Sequence, residues 1–258
     1  MSDVTVTIDL NADVGEGFGR WRLGDDDALL TIVTSANVAC GFHAGDPNIM
    51  RRICSLAVEN GVRIGAQVSY PDLVGFGRRP MKISRSDLTN DVLYQFGALD
   101  AFARAAGGRV DYVKPHGALN NVCDTDAEQA SAVVDAIELF NASLPLLALP
   151  GSQLQQQGEA RSITVVPEAY PDRAYRGDGR LVSRSEPGAV LDDPELIAQR
   201  AVAFATRHRV TTVEGETIRV QAQSLCLHGD NDEAVASALA VQRALLAQGV
   251  VLASFVGD

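Results

Sequence analysis

Cationic residues are in short supply. The chain carries 22 Lys and Arg against 33 Asp and Glu, a formal net charge of −11, which disfavours a sequence-independent grip on nucleic acid or on an anionic membrane surface. Small molecules or other proteins are the expected partners. Long apolar runs are missing too: none reaches membrane-spanning length, and the opening MSDVTVTIDLNAD has neither the basic nor the apolar block of a secretory signal. A cytoplasmic location is expected. The 4 cysteines, Cys40, Cys54, Cys123 and Cys226, are far apart and form no C-x-x-C pair, so they read as reduced, packed thiols. No Walker A sequence, charge block, short repeat or low-complexity linker occurs, although QLQQQ at 153–157 is a small biased patch. What is present is 46% apolar residues over 258 positions, enough for one large core, and a single domain spanning 1–258 is expected.

Strand-like runs recur at 4–13, 35–43, 63–69, 111–116, 145–150, 162–170, 223–228 and 250–256, and helical periodicity fills most of the intervals. The helices carry their own punctuation. Asp46-Pro47 supplies an acidic cap and a first-turn proline ahead of a helix that Gly61 ends, and Ser84 with Asp87 forms a capping-box pattern ahead of one that Gly107-Gly108 ends. Alternating strands and helices imply a parallel sheet covered by helices, either open and doubly wound or closed as a barrel.

The polarity of the strands favours closure. Doubly covered strands of an open sheet read as continuous apolar runs, whereas here Val4, Val6, Ile8, Leu10 and Ala12 share one face and Thr5, Thr7, Asp9, Asn11 and Asp13 the other. The second run opposes Ala36, Val38, Cys40 and Phe42 to Ser35, Asn37, Ala39, Gly41 and His43; Tyr112, Lys114 and His116 share a face, as do Ser224, Cys226 and His228. If the apolar faces meet the helices, the polar faces converge on one lumen. The expected fold class is therefore α/β, a variant (β/α) barrel of about seven parallel strands.

Three of the 4 histidines end a strand-like run: His43 in ACGFHAGD, His116 in YVKPHGAL and His228 in SLCLHGDN. Glycine follows within two residues each time, so the chain can turn into the next segment and leave the imidazole at the rim, where α/β folds place their chemistry. Asp13, His43, Lys114 and His116 are the catalytic candidates. Asp9, Asn11, Asn37, Asp46, Gln67, Arg78, Arg79, Glu168 and His228 are the substrate-binding candidates, with Asp46 doubling as a helix cap. Asp13, His43 and His116 also have the ligand types for a divalent metal. GEGFGR at 15–20 could form a backbone nest for an anion but lacks G-x-G-x-x-G spacing and reads as a flexible rim loop. The stretch 167–191 is rich in functional groups and reads as a lid, binding loop or docking surface, and VTTVEGETIRV as a small structural hairpin.

Taken together, IDLNADVGEGFG, SANVACGFHAGDPNIM, GVRIGAQVSYPDLVGFGRR, LYQFGALDAFARAAGGRVDYVKPHGALNN, PGSQL, EAYPDRAYRGDGRLVSRSEPGAVL and SLCLHGDN resemble the LamB/YcsF family nearly end to end. The resemblance implies a cytoplasmic subunit that acts with two partner subunits, B and C, as an ATP- and Mg²⁺-dependent 5-oxoprolinase opening 5-oxo-L-proline to L-glutamate. It also implies a barrel similar to the glycoside hydrolase and polysaccharide deacetylase type. Two positions depart from many relatives: Gln67-Val68 stands where they have histidine and proline, and Asn120 where they have tyrosine.

On that footing the lactam oxygen would be phosphorylated and water would attack the activated carbon, with Lys114 stabilising charge and Arg78 or Arg79 gripping the substrate carboxylate. Asp13 or His43 would serve as base and His116 as acid. Two rival readings are a stand-alone metal-dependent amidase or deacetylase, active without ATP, and a non-catalytic subunit that only binds 5-oxoproline.

Overall fold

The computed structural model describes residues 5–228 and 233–257. Seven of the strand-like runs become β1 (Thr7–Val14), β2 (Ser35–Ala39), β3 (Arg63–Val68), β4 (Tyr112–Pro115), β5 (Leu146–Ala148), β6 (Val165–Ala169) and β9 (Ser224–Leu227). Each pairs in parallel with the next, and β9 returns to β1 with Asp9 opposite Ser224 and Ala12 opposite Leu227, so the sheet closes. That last pairing decides between the open sheet and the barrel. Val4, placed by its alternation on the first strand, and Gly229 to Asp232, placed after His228 and at the start of the last helix, lie outside the described residues.

The final run forms β10 (Val251–Leu252), which pairs with the start of β1. Val251 N and Ala253 N donate to the carbonyls of Val6 and Ile8, and Thr34 N donates to that of Leu10. Carbonyls two residues apart in a strand point the same way, so β10 and β2 follow one another along a single edge of β1. Phe255 then packs edge-on against Tyr112 at 5.1 Å between ring centres, and with Val256 it joins Tyr112, Leu147 and Val166 in an apolar plug. One end of the barrel is thereby stopped.

The outer layer is α2 (Pro47–Glu59), α3 (Arg85–Ala105), α5 (Ala127–Asn141), α6 (Gln153–Ala160), α7 (Pro194–Arg207) and α8 (Ala234–Ala247), with the short α1 (Asp26–Leu29) and α4 (Gly117–Val122). Their starts follow from capping chemistry: side chains of Asp46, Ser84, Asp126, Ser152 and Asp193 each accept a first-turn amide, and Pro47 and Pro194 occupy first positions that need no donor. The biased QLQQQ patch is simply the first turns of α6. Ile8, Leu10 and Ala12 of β1 meet the helices in one continuous core with Ile53, Phe96 and Phe204. No helix among the described residues is long and apolar enough to cross a membrane. The VTTVEGETIRV segment is an antiparallel hairpin of β7 (Arg209–Thr211) and β8 (Thr217–Arg219).

Candidate functional site

Alternation along the strands delivers the polar faces to the lumen as layers. Deepest is Asp9, fully enclosed, whose carboxylate accepts from Thr34 and Ser35 hydroxyls at 2.6 Å and from the Ser224 hydroxyl. Burial raises its pKa to about 6, against the opposing effect of the three hydroxyls. Above it Asn11 donates to Glu168 Oε1 at 3.0 Å and to Ser224 at 2.6 Å, while Asn37 donates to Asn11 and Asp13 and accepts from Tyr112 Oη at 2.7 Å. The Tyr112 ring needs Gly65 beside it, because a Cβ there would stand 2.1 Å from the ring.

Lys114 occupies the next layer. Its Nζ donates to Glu168 Oε1 at 2.8 Å, lies 3.2 Å from Cys226 Sγ and 4.0 Å from Asp13 Oδ1, and sits 5.1 Å from the centre of the Tyr170 ring. Burial opposes its charge, but the sulfur and the carboxylates around it hold its pKa well above the ordinary lysine value. Tyr170 Oη donates to the other Glu168 oxygen at 2.6 Å, so that carboxylate is fully committed.

At the mouth the pattern changes. Glu16 Oε1 lies 3.5 Å from His116 Nε2 and 3.8 Å from His43 Nε2, and the two imidazoles stack at 4.2 Å. Gln67 Nε2 donates to the same Glu16 oxygen at 3.0 Å. Both ring nitrogens of His43, Nδ1 of His116 and Oε1 of Gln67 are buried without a hydrogen-bond partner. Burial lowers the His43 pKa to about 4, and burial with the neighbouring His43 and Arg78 lowers that of His116 well below the ordinary value, so both rings are neutral at pH 7. Neutral imidazole nitrogens and a carboxylate oxygen, all within 4.8 Å of one another, form a donor set suited to a divalent cation.

A roof covers this group. Phe76 packs edge-on to His43 at 5.8 Å and to His116 at 5.4 Å, and Gly77 beside it has φ +64, where a Cβ would stand 2.3 Å from Ser69 Oγ and 2.8 Å from His43 Cβ. Asp72 staples the loop by accepting from Gly75 N, Arg79 N and the Arg79 guanidinium.

The structure therefore gathers Asp13, His43, Gln67, Lys114, His116 and Glu168 in the upper lumen, with Asn11 and Asn37 beneath them. Asp9 belongs to the stopped end of the lumen. Asp46 is partly exposed and accepts from the amides of Gly19, Asn48 and Ile49, which hold its pKa down against desolvation; it serves α2 and the loop before it. Arg79 is occupied by Asp72, whereas Arg78 stacks on Phe76 at 4.9 Å and its charge reaches both mouth histidines. His228 is held by Asp172, with Nδ1 2.6 Å from Oδ2.

Two expectations are corrected. The acid that joins His43 and His116 is Glu16, because Asp13 stays on β1, accepting from Asn37 and facing Lys114. GEGFGR is no loose nest: Gly15 N donates to Asp26, Gly19 N to Asp46, and Phe18 and Trp21 exchange backbone bonds. Three of its amides, those of Gly15, Phe18 and Gly19, are thereby engaged within the protein. The stretch 167–191 is anchored through its first part, since the buried Arg173 donates to the carbonyls of Ala189 and Val182 and Tyr170 N donates to Tyr175 Oη, while most of 177–188 is exposed.

The family model for LamB/YcsF matches residues 8–257. The chain belongs to the LamB/YcsF family. It is 58% identical over 248 residues to the A subunit of the 5-oxoprolinase of Streptomyces avermitilis, covering 96% of this chain and 99% of that one. The crystal structure of the lactam utilization protein from Thermus thermophilus superposes with a TM-score of 0.92 at 42% identity, covering 96% of this chain and all of the other. The polysaccharide deacetylase Bc1974 from Bacillus cereus, at a TM-score of 0.51 and 12% identity over 97% of this chain and 92% of its own, shares the barrel fold.

Proposed function

We propose that this LamB/YcsF chain is the barrel subunit of an ATP-dependent 5-oxoprolinase, a hydrolase that opens the cyclic amide of 5-oxo-L-proline to L-glutamate together with two further subunits, B and C. The observation that carries the substrate class is the identity, along nearly the whole of both chains, to proteins named as the A subunit of 5-oxoprolinase. The mouth of the barrel supplies matching chemistry.

A five-membered lactam is a stabilised amide, and phosphorylation of its oxygen by ATP·Mg²⁺ makes the ring carbon open to water. Lys114, charged and enclosed, stabilises negative charge on that oxygen. Because the chain has no Walker A sequence and the Gly15, Phe18 and Gly19 amides of the glycine-rich segment are bonded within the protein, the nucleotide phosphates are assigned to a site completed by the partner subunits. Glu16, His43 and His116 would hold a divalent cation, which when bound supplies a Lewis acid and a more acidic water. The unpartnered ring nitrogens of His43 fit that use. Ligation occupies the lone pairs that proton transfer needs, so His43 and His116 are assigned to holding the cation, and Arg78 to the substrate carboxylate.

The test is glutamate release from 5-oxo-L-proline by this chain alone and with its partner subunits, each with and without ATP·Mg²⁺. Release only by the ATP-supplied mixture is expected. Release by the chain alone without ATP would replace this reading with the metal-dependent amidase, and no release from a folded, assembled mixture would overturn the assignment.

A further inference from the structure

Beyond β6 the alternation that brings Glu168 and Tyr170 into the lumen brings in Asp172 as well, and beyond β9 it brings in His228 after Ser224 and Cys226. Their meeting is close. Asp172 Oδ2 lies 2.6 Å from His228 Nδ1 and also accepts the His228 backbone amide at 3.2 Å, so the carboxylate fixes both the position of the residue and the direction of its ring. Tyr170 stacks on the imidazole at 5.9 Å and 26°, and Lys114 Nζ lies 5.1 Å from the centre of the same ring. His228 thus shares the Tyr170 ring with the charge-stabilising lysine.

We infer that His228 is the proton-transferring catalytic residue of this site and Asp172 the positioning residue that sets its tautomer, an inference that rests on the oxoprolinase reading. A carboxylate can only accept, so the hydrogen lies on Nδ1 and Nε2 presents a lone pair. The other two strand-terminal histidines are built differently: Nδ1 of His43 and Nδ1 of His116 have no carboxylate and no other partner. Of the three, only His228 has a carboxylate within hydrogen-bond distance of its Nδ1, the support that stabilises an imidazolium formed part-way through a reaction.

In the step assigned to it, the water oxygen bonds to the activated ring carbon and the proton it releases goes to His228 Nε2. The ring C–N bond then breaks with its electron pair left on nitrogen, and Nε2 returns the proton to that nitrogen. Asp172 stays ionised throughout: burial opposes its charge, but the facing His228 and its two hydrogen bonds hold the carboxyl below the ordinary aspartate value. The product of this step is the open-chain acyl phosphate with its amine released, and a second water then frees phosphate from it to leave L-glutamate, so that one ATP and two waters account for every atom.

The decisive variant is Asp172→Asn, whose amide oxygen can replace Oδ2 towards both His228 donors but which carries no charge to stabilise an imidazolium. In the assembled, ATP-supplied complex kcat is expected to fall about 100-fold or more with KM changed less than about threefold, and ¹⁵N spectra of the wild-type chain alone should show His228 as the Nδ1–H tautomer. His228→Gln should lose as much turnover. Zinc binding by either variant should match the wild type, which separates this role from ligation. A wild-type chain already in the Nε2–H tautomer, or an Asp172→Asn complex as fast as wild type, would overturn the inference alone. A wild-type complex that forms no glutamate would overturn it together with the oxoprolinase reading.

Discussion

At the stopped end of the lumen Asp9 collects the hydroxyls of Thr34, Ser35 and Ser224; at the mouth Glu16 faces two imidazoles, and four polar atoms around it find no partner. Both regions are buried and both are polar, so burial and polarity alone do not distinguish structure from function. Satisfaction does. The lower network closes on itself, which is how a barrel stabilises a polar interior. The upper group leaves buried polar atoms without partners around a carboxylate and two imidazoles whose donor atoms lie within 4.8 Å of one another, an arrangement that costs stability unless something fills it.

The largest expected effect comes from breaking the mouth. Glu16→Gln or His43→Ala should abolish measurable glutamate formation in the assembled complex while thermal unfolding stays within a few degrees of wild type, since neither residue holds up the fold. A variant that keeps turnover would remove its residue from the site. Lys114 lies between the regions and should report on both. Lys114→Met leaves Glu168 and Asp13 buried without their cation and should cost about 3–5 kcal/mol in urea unfolding, as well as turnover.

Asp9 sharpens the comparison through pH. Its pKa is raised on folding from 3.8 to about 6, so the stability it contributes is complete below pH 3.8 and is lost as pH rises through about 6. Asp9→Asn removes that titration. The variant should gain on wild type by up to about 3 kcal/mol between pH 3.5 and 7; a difference that stays flat across that range would show the carboxyl is not titrating there. Gly65→Ala pushes a methyl into the Tyr112 ring and should cost about 1–3 kcal/mol, measured by the same unfolding. Smallest is Trp21→Ala: the side chain is 73% exposed, and the isolated chain should change by less than about 0.5 kcal/mol.

Alternation made the barrel legible. Asp9, Asn11 and Asp13 on one face and Ile8, Leu10 and Ala12 on the other specify a lumen and an outer core, and the capping residues Asp46, Ser84 and Asp193 mark their helices without any tertiary information. Histidines at strand ends pointed to the mouth. Glu16 escaped because Gly15 adopts φ +70, which breaks the two-residue period and swings the next side chain back over the lumen; no count along β1 reaches it. Asp172 was within reach of the count, since it continues Glu168 and Tyr170, but it sits in a segment that reads as a lid, binding loop or docking surface and gives no single residue a role. The buried guanidinium of Arg173, which ties that segment down, makes all of its protein bonds to distant carbonyls and leaves no local pattern. Which strand faces which is also set at long range, by the return of β9 to β1.

Calorimetric titration of the metal-stripped chain with Zn²⁺ separates a satisfied floor from an unsatisfied mouth. Wild type and Asp9→Asn should each bind one ion per chain with the same affinity, and Glu16→Gln should bind at least about tenfold to 100-fold more weakly. A wild-type chain that binds no zinc, or a Glu16→Gln chain that binds it equally well, would contradict the assignment of the mouth.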